Sequence, residues 1–325
     1  FIDNKATGVT AQGGAVYSNN HMEVVADNGV SVFRGNTANG QSSAIYIAKK
    51  TGNAFIDIIK SGRSIDSGGN IYPDELTNPP PPNKLYLTAR NNGTISIYDD
   101  IDGDLGKDGA PGYKLIFGGD NTGSSNIIGK IHNADIYSGE TENGSNHIAN
   151  IADASVLSHL NNNLTLNSGT FNLARLGVND DMHVNKLSLT SGSFTFGKQD
   201  VDLIRKKMGT ISADTYVTGQ ATIDVRNLRP VNDSEAGINT RVHFIDPQIS
   251  SQVINHVSTT YSPIYRYSVG YDPSVGDFSF YRPLNPGGSD YNPEVTVPGT
   301  ANILLAALLN EEIYTRVLSD IDTYK

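Results

Sequence analysis

The chain reads Phe1-Ile2-Asp3-Asn4-Lys5-Ala6, and 32 residues later it reads Phe33-Arg34-Gly35-Asn36-Thr37-Ala38. A second box follows each of these F-x-x-N-x-A boxes, first Gly13-Gly14-Ala15-Val16-Tyr17 and then Ser42-Ser43-Ala44-Ile45-Tyr46. A repeat of this length, built from short apolar runs and turn residues, indicates a solenoid whose units stack on one another. Two ordinary hairpins of similar sequence are the alternative interpretation.

Each residue type in these boxes suits one position in a stacked turn of chain. The apolar residues Phe1, Phe33, Val16 and Ile45 are expected to fill the interior. Asparagine tolerates left-handed backbone geometry at a sharp corner, and stacked asparagine side chains can form ladders between turns. The small residues 13–15 suit a place where one chain segment passes close to another.

A second repeat lies further along the chain, where Leu164-Thr-Leu-Asn-Ser-Gly-Thr-Phe171-Asn-Leu173 returns 23 residues later as Leu187-Ser-Leu-Thr-Ser-Gly-Ser-Phe194-Thr-Phe196. This spacing suits one turn of a three-sided parallel coil. Strand-like runs of four to six residues recur throughout, separated by Gly, Asn, Ser or Asp. Helical patterns are almost absent, so the crossovers of an α/β sheet are missing. The sequence therefore predicts an all-β fold, with coil turns over residues 1–230.

Three segments are predicted to leave the coil as loop excursions. Residues 64–83 contain Pro79–Pro82, which cannot donate to a strand ladder. Residues 140–147 form a polar stretch. Residues 200–209 have a helical pattern through Val201, Ile204 and Met208, which predicts an insertion of one or two helical turns.

The residue composition of the sequence changes after residue 230. Residues 231–282 carry longer, more aromatic strands and are predicted to be a capping module, because the open end of a stacked coil needs cover. The predicted strands of this module are residues 241–246, 249–253, 263–269 and 277–281. Residues 283–299 are typical of a proline-punctuated linker. Residues 300–325 predict an amphipathic helix that begins at the N-cap Thr300.

Composition excludes several classes of function. The net charge of −10, without a run of Lys or Arg, disfavours nucleic acid and anionic lipid as partners. The absence of cysteine excludes disulfides, Cys-ligated metals and thiol catalysis. Hydrophobic content of 37% and charged content of 18% suit thin coil turns with a narrow core. Because no signal peptide opens the sequence and residue 1 falls inside a repeat box, we expect a fragment whose natural start lies upstream.

One acidic cluster is a candidate calcium site. Asp100, Asp102, Asp104 and Asp108 alternate with other residues, as oxygen ligands do in calcium loops. Leu105 occupies the position where an EF-hand requires glycine, and no glutamate stands at the twelfth position. Solvated turn carboxylates are therefore the favoured interpretation, with calcium as the alternative. No other cofactor is expected.

Motifs for catalysis are weak or missing, so no catalytic residue is predicted. The stretch Gly118-Gly-Asp120-Asn-Thr-Gly-Ser124 lacks nearby partners for a nucleophilic serine. There is no H-E-x-x-H, no G-x-S-x-G and no phosphate-binding loop with lysine. Carboxylate pairs for glycoside cleavage depend on residues far apart in sequence, so a β-helical polysaccharide lyase or hydrolase is the main enzymatic alternative. Tyrosines within residues 261–281 could stack on sugars, although packing explains them more simply.

The two N-terminal box types resemble repeats of polymorphic outer-membrane proteins, within the passenger regions of type V secreted autotransporters. Thr94-Ile-Ser-Ile-Tyr98-Asp-Asp-Ile101 is similar to the I-x-F-Y-D-x-I segment of such passengers, whereas Ser42-Ser43 departs from their Gly-Gly pattern. The aromatic module, linker and helix resemble an autochaperone-like passenger end that leads to a translocating barrel. The resemblance implies a right-handed parallel β-helix on the surface of a Gram-negative outer membrane. It also implies secretion through the passenger's own C-terminal membrane barrel, which these 325 residues do not include.

The expected function is adhesion without catalysis. Partners would be a host cell-surface glycan or protein, or identical passengers on neighbouring cells. Many weak contacts along a rigid rod add as avidity, so no single ligand-binding residue is predicted. A carbohydrate-active enzyme and a structural stalk for an upstream domain remain the alternatives.

Overall fold

Short strands joined by turns make up the computed structural model, which describes residues 1–49, 82–141, 146–249 and 252–293. Within these residues the fold is all-β, as predicted. The helical parts of these residues are four 3₁₀ turns: Lys107–Gly109, Ala154–Val156, Pro247–Ile249 and Gly288–Asp290. None of the described helical segments has the length and apolar character needed to cross a membrane.

The strands are numbered along the chain. The first part contains β1 (Lys5–Ala6), β2 (Val16–Ser18), β3 (Met22–Asp27), β4 (Val30–Phe33), β5 (Thr37–Ala38), β6 (Gln41–Ser42) and β7 (Ile45–Ile47). The middle part contains β8 (Asn83–Arg90), β9 (Thr94–Ile97), β10 (Ile101–Gly103), β11 (Tyr113–Gly119), β12 (Ser124–Ile127), β13 (Ala134–Ser138), β14 (Ile148–Ile151), β15 (His159–Leu166), β16 (Thr170–Leu173), β17 (Asp181–Leu189) and β18 (Ser193–Phe196). The last part contains β19 (Gln199–Asp202), β20 (Lys207–Met208), β21 (Thr210–Val217), β22 (Thr222–Val225), β23 (Leu228–Pro230), β24 (Asn239–His243), β25 (Val253–His256), β26 (Thr259–Tyr261), β27 (Arg266–Asp272) and β28 (Asp277–Tyr281).

Two long parallel sheets dominate the architecture. Sheet I has the order β21-β17-β15-β13-β11-β8-β3, and sheet II has the order β25-β22-β18-β16-β14-β12-β9-β4. Each strand of sheet I is followed along the chain by a strand of sheet II. A shorter parallel sheet, β10-β7-β2, lies on the path back to sheet I. The chain thus visits the sheets in a fixed order and returns one strand further along, which is compatible with a solenoid.

Both sequence repeats correspond to strand neighbours in register. Leu164 pairs with Leu187 in sheet I, and Phe171 pairs with Phe194 in sheet II. In the N-terminal boxes Ala6 pairs with Ala38. The rings of Tyr17 and Tyr46, from neighbouring strands, stack with centroids 5.9 Å apart. The repeat spacing therefore sets which strand lies beside which.

A line of aromatic rings runs through the core. Phe194 contacts the rings of Phe171 and Phe196 with centroid distances of 5.7 and 4.8 Å. Phe196 contacts Phe244 at 5.8 Å, and Phe244 contacts Phe278 at 5.5 Å. All five rings are buried. The apolar positions of the parallel sheets thus continue without a break into the segment after residue 230.

The roles expected for the N-terminal boxes are confirmed in part. Phe33 and Ile45 are buried, but Phe1 is 63% exposed because it lies on the edge of the stack, against Phe33. Asn36 is buried and does not adopt left-handed geometry. Its side chain instead accepts a hydrogen bond from Asn4 Nδ2 at 2.8 Å, so the expected asparagine ladder is present. At Gly14 an added Cβ would lie 2.5 Å from the Ser43 oxygen, which confirms the close approach of chain to chain.

The helical insertion predicted for residues 200–209 is wrong. These residues belong to an antiparallel hairpin of β19 and β20, in which Val201 pairs with Met208. Both of these side chains are buried, whereas Ile204 at the turn is 68% exposed. A hairpin places its two inward residues at a spacing that imitates a helical stripe, and this explains the error.

The segment after residue 230 contains two kinds of pairing. β24, β28, β27 and β26 form a four-stranded antiparallel sheet in that order. β25, however, pairs in parallel with β22, so the stacking of sheet II continues to His256, past the predicted boundary at residue 230. The strand predicted at 249–253 is shifted, because residues 247–249 form a 3₁₀ turn and β25 begins at Val253.

Several predictions fall outside the described residues. These are most of the 64–83 excursion, the centre of the 140–147 loop, the end of the 283–299 linker and the whole 300–325 helix.

Candidate functional site

The outward side of sheet I carries an unusual group of side chains where β8, β11 and β13 lie side by side. Successive side chains of a strand point to opposite faces of its sheet. In β8, Leu85 and Leu87 therefore point into the core, and Lys84 and Tyr86 point outward. The residues that matter here come from the outward positions.

Strand register brings an isoleucine between two tyrosines. Ile116 of β11 pairs with Tyr86 of β8 on one side and with Tyr137 of β13 on the other. Parallel strands lie about 4.8 Å apart, so the two tyrosine positions are separated by about 10 Å across the strands. Ile116 is only 3% exposed although it occupies an outward position, since the longer side chains around it cover it.

The first tyrosine belongs to a charged network. Lys84 Nζ lies 2.5 Å from Glu140 Oε1 and donates to the Tyr86 hydroxyl at 3.1 Å. The Tyr86 hydroxyl donates to Glu140 Oε1 at 3.0 Å. The hydrogen bond from Lys84 lowers the pKa of Glu140, and the same bond raises the pKa of Lys84. Both groups are therefore ionised at neutral pH, and their charges cancel.

The second tyrosine has a matching set of partners. Lys114 Nζ lies 3.3 Å from the Tyr137 hydroxyl, to which it donates, and 4.7 Å from the centroid of the ring. The Tyr137 hydroxyl donates to Asp135 Oδ2 at 2.9 Å. Partial burial and then the Asp135 carboxylate raise the pKa of Tyr137, so its phenol stays protonated. We call the group Lys84, Tyr86, Lys114, Ile116, Asp135, Tyr137 and Glu140 the Tyr–Lys surface.

The Tyr–Lys surface is equipped for binding. It offers two aromatic rings and hydrogen-bonding groups whose two positive and two negative charges balance. Glycoside cleavage requires a carboxyl group kept protonated by a raised pKa. Within the described part of the chain, the carboxyl groups with displaced pKa values are displaced downward: Asp27, Asp100, Asp120, Glu140, Asp202 and Asp272.

The Lys84–Glu140 pair predicts a small pH dependence of stability. Because the folded-state pKa of Glu140 lies below its ordinary value of 4.5, the pair stabilises the fold above that pH. The contribution disappears as the pH falls through the lower, folded-state pKa. With side chains 34% and 50% exposed, the pair contributes at most about 1 kcal/mol. We expect Glu140→Gln to lower the free energy of urea unfolding slightly at pH 7 and to have no effect near pH 2.

A matched control for this prediction is Glu235→Gln, which removes the same charge from another exposed position. It should leave stability unchanged at both pH values. An equal effect of Glu140→Gln at pH 7 and pH 2 would show that the ion pair is not responsible.

In the structure, three of the four candidate calcium ligands each accept a hydrogen bond from a different residue. Asp100 accepts from the Lys130 amide at 2.9 Å, and Asp102 accepts from Asn133 Nδ2 at 3.0 Å. Asp104 accepts from the Tyr46 hydroxyl at 2.6 Å, and Asp108 lies in a 3₁₀ turn with a φ of 58°. In the residues that the structure describes, no group of three or more His, Asp or Glu side chains is placed to hold a metal ion.

Calcium binding by this cluster stays a prediction, and chelation of the ion tests it. If the ion is structural, EDTA should lower the Tm measured by circular dichroism, and excess calcium should restore it, because a ligand of the native state stabilises it. An unchanged Tm would leave Asp100, Asp102, Asp104 and Asp108 as solvated turn carboxylates.

The aromatic cluster of the C-terminal sheet is largely internal. Tyr267, Phe278 and Phe280 are buried, and the Tyr267 hydroxyl donates to Asp233 at 2.9 Å. Tyr261 and Tyr281 are 38% and 39% exposed. Packing therefore accounts for the buried members of this cluster.

The Tyr–Lys surface is not among the sites predicted from the sequence. Its signal is present in the alternating segments 83–89, 113–119 and 134–138, which carry Lys, Tyr, Ile or Asp at their outward positions. Aligning these three segments by their inward residues would have placed Tyr86, Ile116 and Tyr137 in one column.

No protein-family model matches this chain, and no curated protein is significantly similar to it. The resemblance to autotransporter passengers stays a prediction.

Proposed function

We propose that this chain is a surface-exposed passenger fragment of a type V secreted autotransporter and acts as an adhesin without enzymatic activity. In this proposal the parallel sheets form a right-handed β-helix. Its handedness follows the strong preference for right-handed connections between parallel strands. The antiparallel sheet β24-β28-β27-β26 serves as its cap. The helix predicted from the sequence for residues 300–325, which lie outside the described residues, would lead toward a membrane barrel.

The observation that carries the proposal is the long, in-register outward surface of the two parallel sheets. On sheet II, Asn150 Nδ2 donates to Asn126 Oδ1 at 2.8 Å, and Asn172 Nδ2 donates to Asn150 Oδ1 at 3.2 Å. The ladder continues with a bond from the Thr195 hydroxyl to Asn172 at 3.0 Å. A rigid surface of repeated polar groups suits many weak contacts, which together give strong attachment.

The adhesive function is tested with beads coated with the purified chain. Beads that bind host cells support host adhesion, and beads that aggregate with one another support self-association. Uncoated beads and beads coated with a Cys-free all-β protein of similar charge are the controls. If coated beads do neither, the adhesin proposal is wrong and a stalk becomes the better explanation.

Enzymatic activity is tested on the same preparation. Incubation with pectin, alginate and glycosaminoglycans should yield no new reducing ends and no absorbance from new double bonds. Either product would overturn the non-enzymatic part of the proposal.

A further inference from the structure

We infer that the Tyr–Lys surface binds an extended, uncharged polysaccharide of β-linked pyranose units, laid across strands β8, β11 and β13. The inference rests on the proposed adhesive function and names the ligand class for it.

The spacing of the two tyrosines suits such a chain. Tyr86 and Tyr137 lie in one column, two strands apart, which separates them by about 10 Å. In an extended β-1,4-linked chain alternate sugars present the same face, and their separation is close to this distance. Two such sugars can therefore stack on the two tyrosines, while the sugar between them spans strand β11.

The chemistry of the groups at the two rings suits a sugar chain. The apolar face of a pyranose packs on aromatic surface, and hydrogen-bonding groups lie beside both tyrosine rings. Asp135 and Glu140 are acceptors beside the rings, and Lys84 and Lys114 are donors. Such groups can exchange their present hydrogen bonds for bonds to the sugar hydroxyls along the chain edges.

The balance of charges favours an uncharged ligand. Two lysines and two carboxylates balance within the surface, and the whole chain carries a net charge of −10. A polyanionic glycan would be repelled by this field, whereas an uncharged chain is not. The surface therefore favours a neutral polysaccharide over an acidic one.

The test is affinity electrophoresis in native gels that contain a soluble polysaccharide. Hydroxyethylcellulose and galactomannan present β-1,4-linked backbones, dextran is the α-linked control, and alginate is the acidic control. We expect the chain to be retarded by the first two only. Tyr86→Ala and Tyr137→Ala should each weaken binding about tenfold, as expected when one stacking contact is removed.

The variants have internal controls. Tyr98→Ala removes a tyrosine that is 47% exposed elsewhere and should bind as the original chain does. Tyr137→Phe keeps the ring and should retain most of the affinity. Circular dichroism melting of each variant checks the fold, and a β-1,4-linked hexasaccharide, but not a disaccharide, should compete with the polysaccharide.

The possible outcomes separate this inference from the adhesin proposal. The inference is overturned if the β-linked chains cause no retardation, if dextran or alginate retards equally, or if both alanine variants bind normally. It is also overturned if Tyr137→Ala abolishes self-association in sedimentation experiments but is retarded by the β-linked polysaccharides as strongly as the original chain. If the inference is overturned but beads coated with either tyrosine variant still adhere, the adhesin proposal remains valid and another surface is responsible for adhesion.

Discussion

Phe194→Ala is expected to lower the free energy of unfolding by about 3–5 kcal/mol, the largest effect among the substitutions considered. Phe194 is fully buried, and its ring lies between those of Phe171 and Phe196. Its strand β18 is paired on both sides, with β16 and with β22. Because the flanking strands are held in register by their ladders, the backbone cannot move in to fill the cavity, and most of the packing energy is lost.

Urea unfolding followed by far-UV circular dichroism measures this effect. Phe1→Ala is the matched control, since the same side chain is 63% exposed at the edge of the stack and should lose less than about 1 kcal/mol. Stacked repeats can unfold in segments, so tyrosine fluorescence serves as a second probe and the transitions should coincide. Equal midpoints for Phe194→Ala and Phe1→Ala would contradict the assignment of this ring to the core.

The repeats carry information about strand neighbours, because residues that recur in the sequence lie on adjacent parallel strands in register. Where the spacing between corresponding positions of two neighbouring strands is constant, residues at equivalent repeat positions, such as Phe171 and Phe194, pair directly. The sequence then displays the register without any knowledge of the structure. The same holds for the box asparagines, whose side chains meet across the first two repeats.

The Tyr–Lys surface could not be found this way because the turns that form it differ in length. Tyr113 pairs with Asn83, 30 residues earlier, and with Ala134, 21 residues later. Without a constant period, the column that joins Tyr86, Ile116 and Tyr137 is not visible as a repeat. Short alternating strands predict which residues point outward, but the loops between them decide which outward residues become neighbours.

Parallel pairing crosses the boundary predicted for the C-terminal module at residue 230. Aromatic residues mark both the antiparallel sheet and the last turns of the parallel stack, so composition changes at residue 230 while parallel pairing continues through β25. Phe244 illustrates the overlap, since its ring joins Phe196 of the parallel stack to Phe278 of the antiparallel sheet. A change of composition therefore does not locate the change of architecture.

Asp99→Ala is expected to lower the free energy of unfolding by about 3 kcal/mol, the second large effect. Asp99 is 7% exposed and extends the asparagine ladder of the two boxes into a third turn. Its carboxylate accepts from the Gly35 amide at 3.0 Å, the Asn36 amide at 2.9 Å and Asn36 Nδ2 at 2.7 Å. Alanine would leave the buried Asn36 amide without an acceptor, which carries a desolvation penalty. It would also remove the charged acceptor of Gly35 N and of Asn36 Nδ2, which would keep only the Phe1 carbonyl oxygen at 3.2 Å.

Hydrogen exchange localises the effect of this substitution. The amides of Gly35 and Asn36 should exchange faster in Asp99→Ala than in the original chain, while amides in sheet II around Phe194 should be unaffected. Asp99→Asn should lie between the two, because it keeps one acceptor oxygen but turns an amide toward the donors. Glu235→Ala, which removes a carboxylate from an exposed position, should change neither stability nor exchange. Unchanged exchange at Gly35 and Asn36 would mean that the ladder does not hold the first turns together. The expected result assigns Asn4, Asn36 and Asp99 to the architecture of the stack, and it leaves the outward positions of the sheets as the residues free to bind.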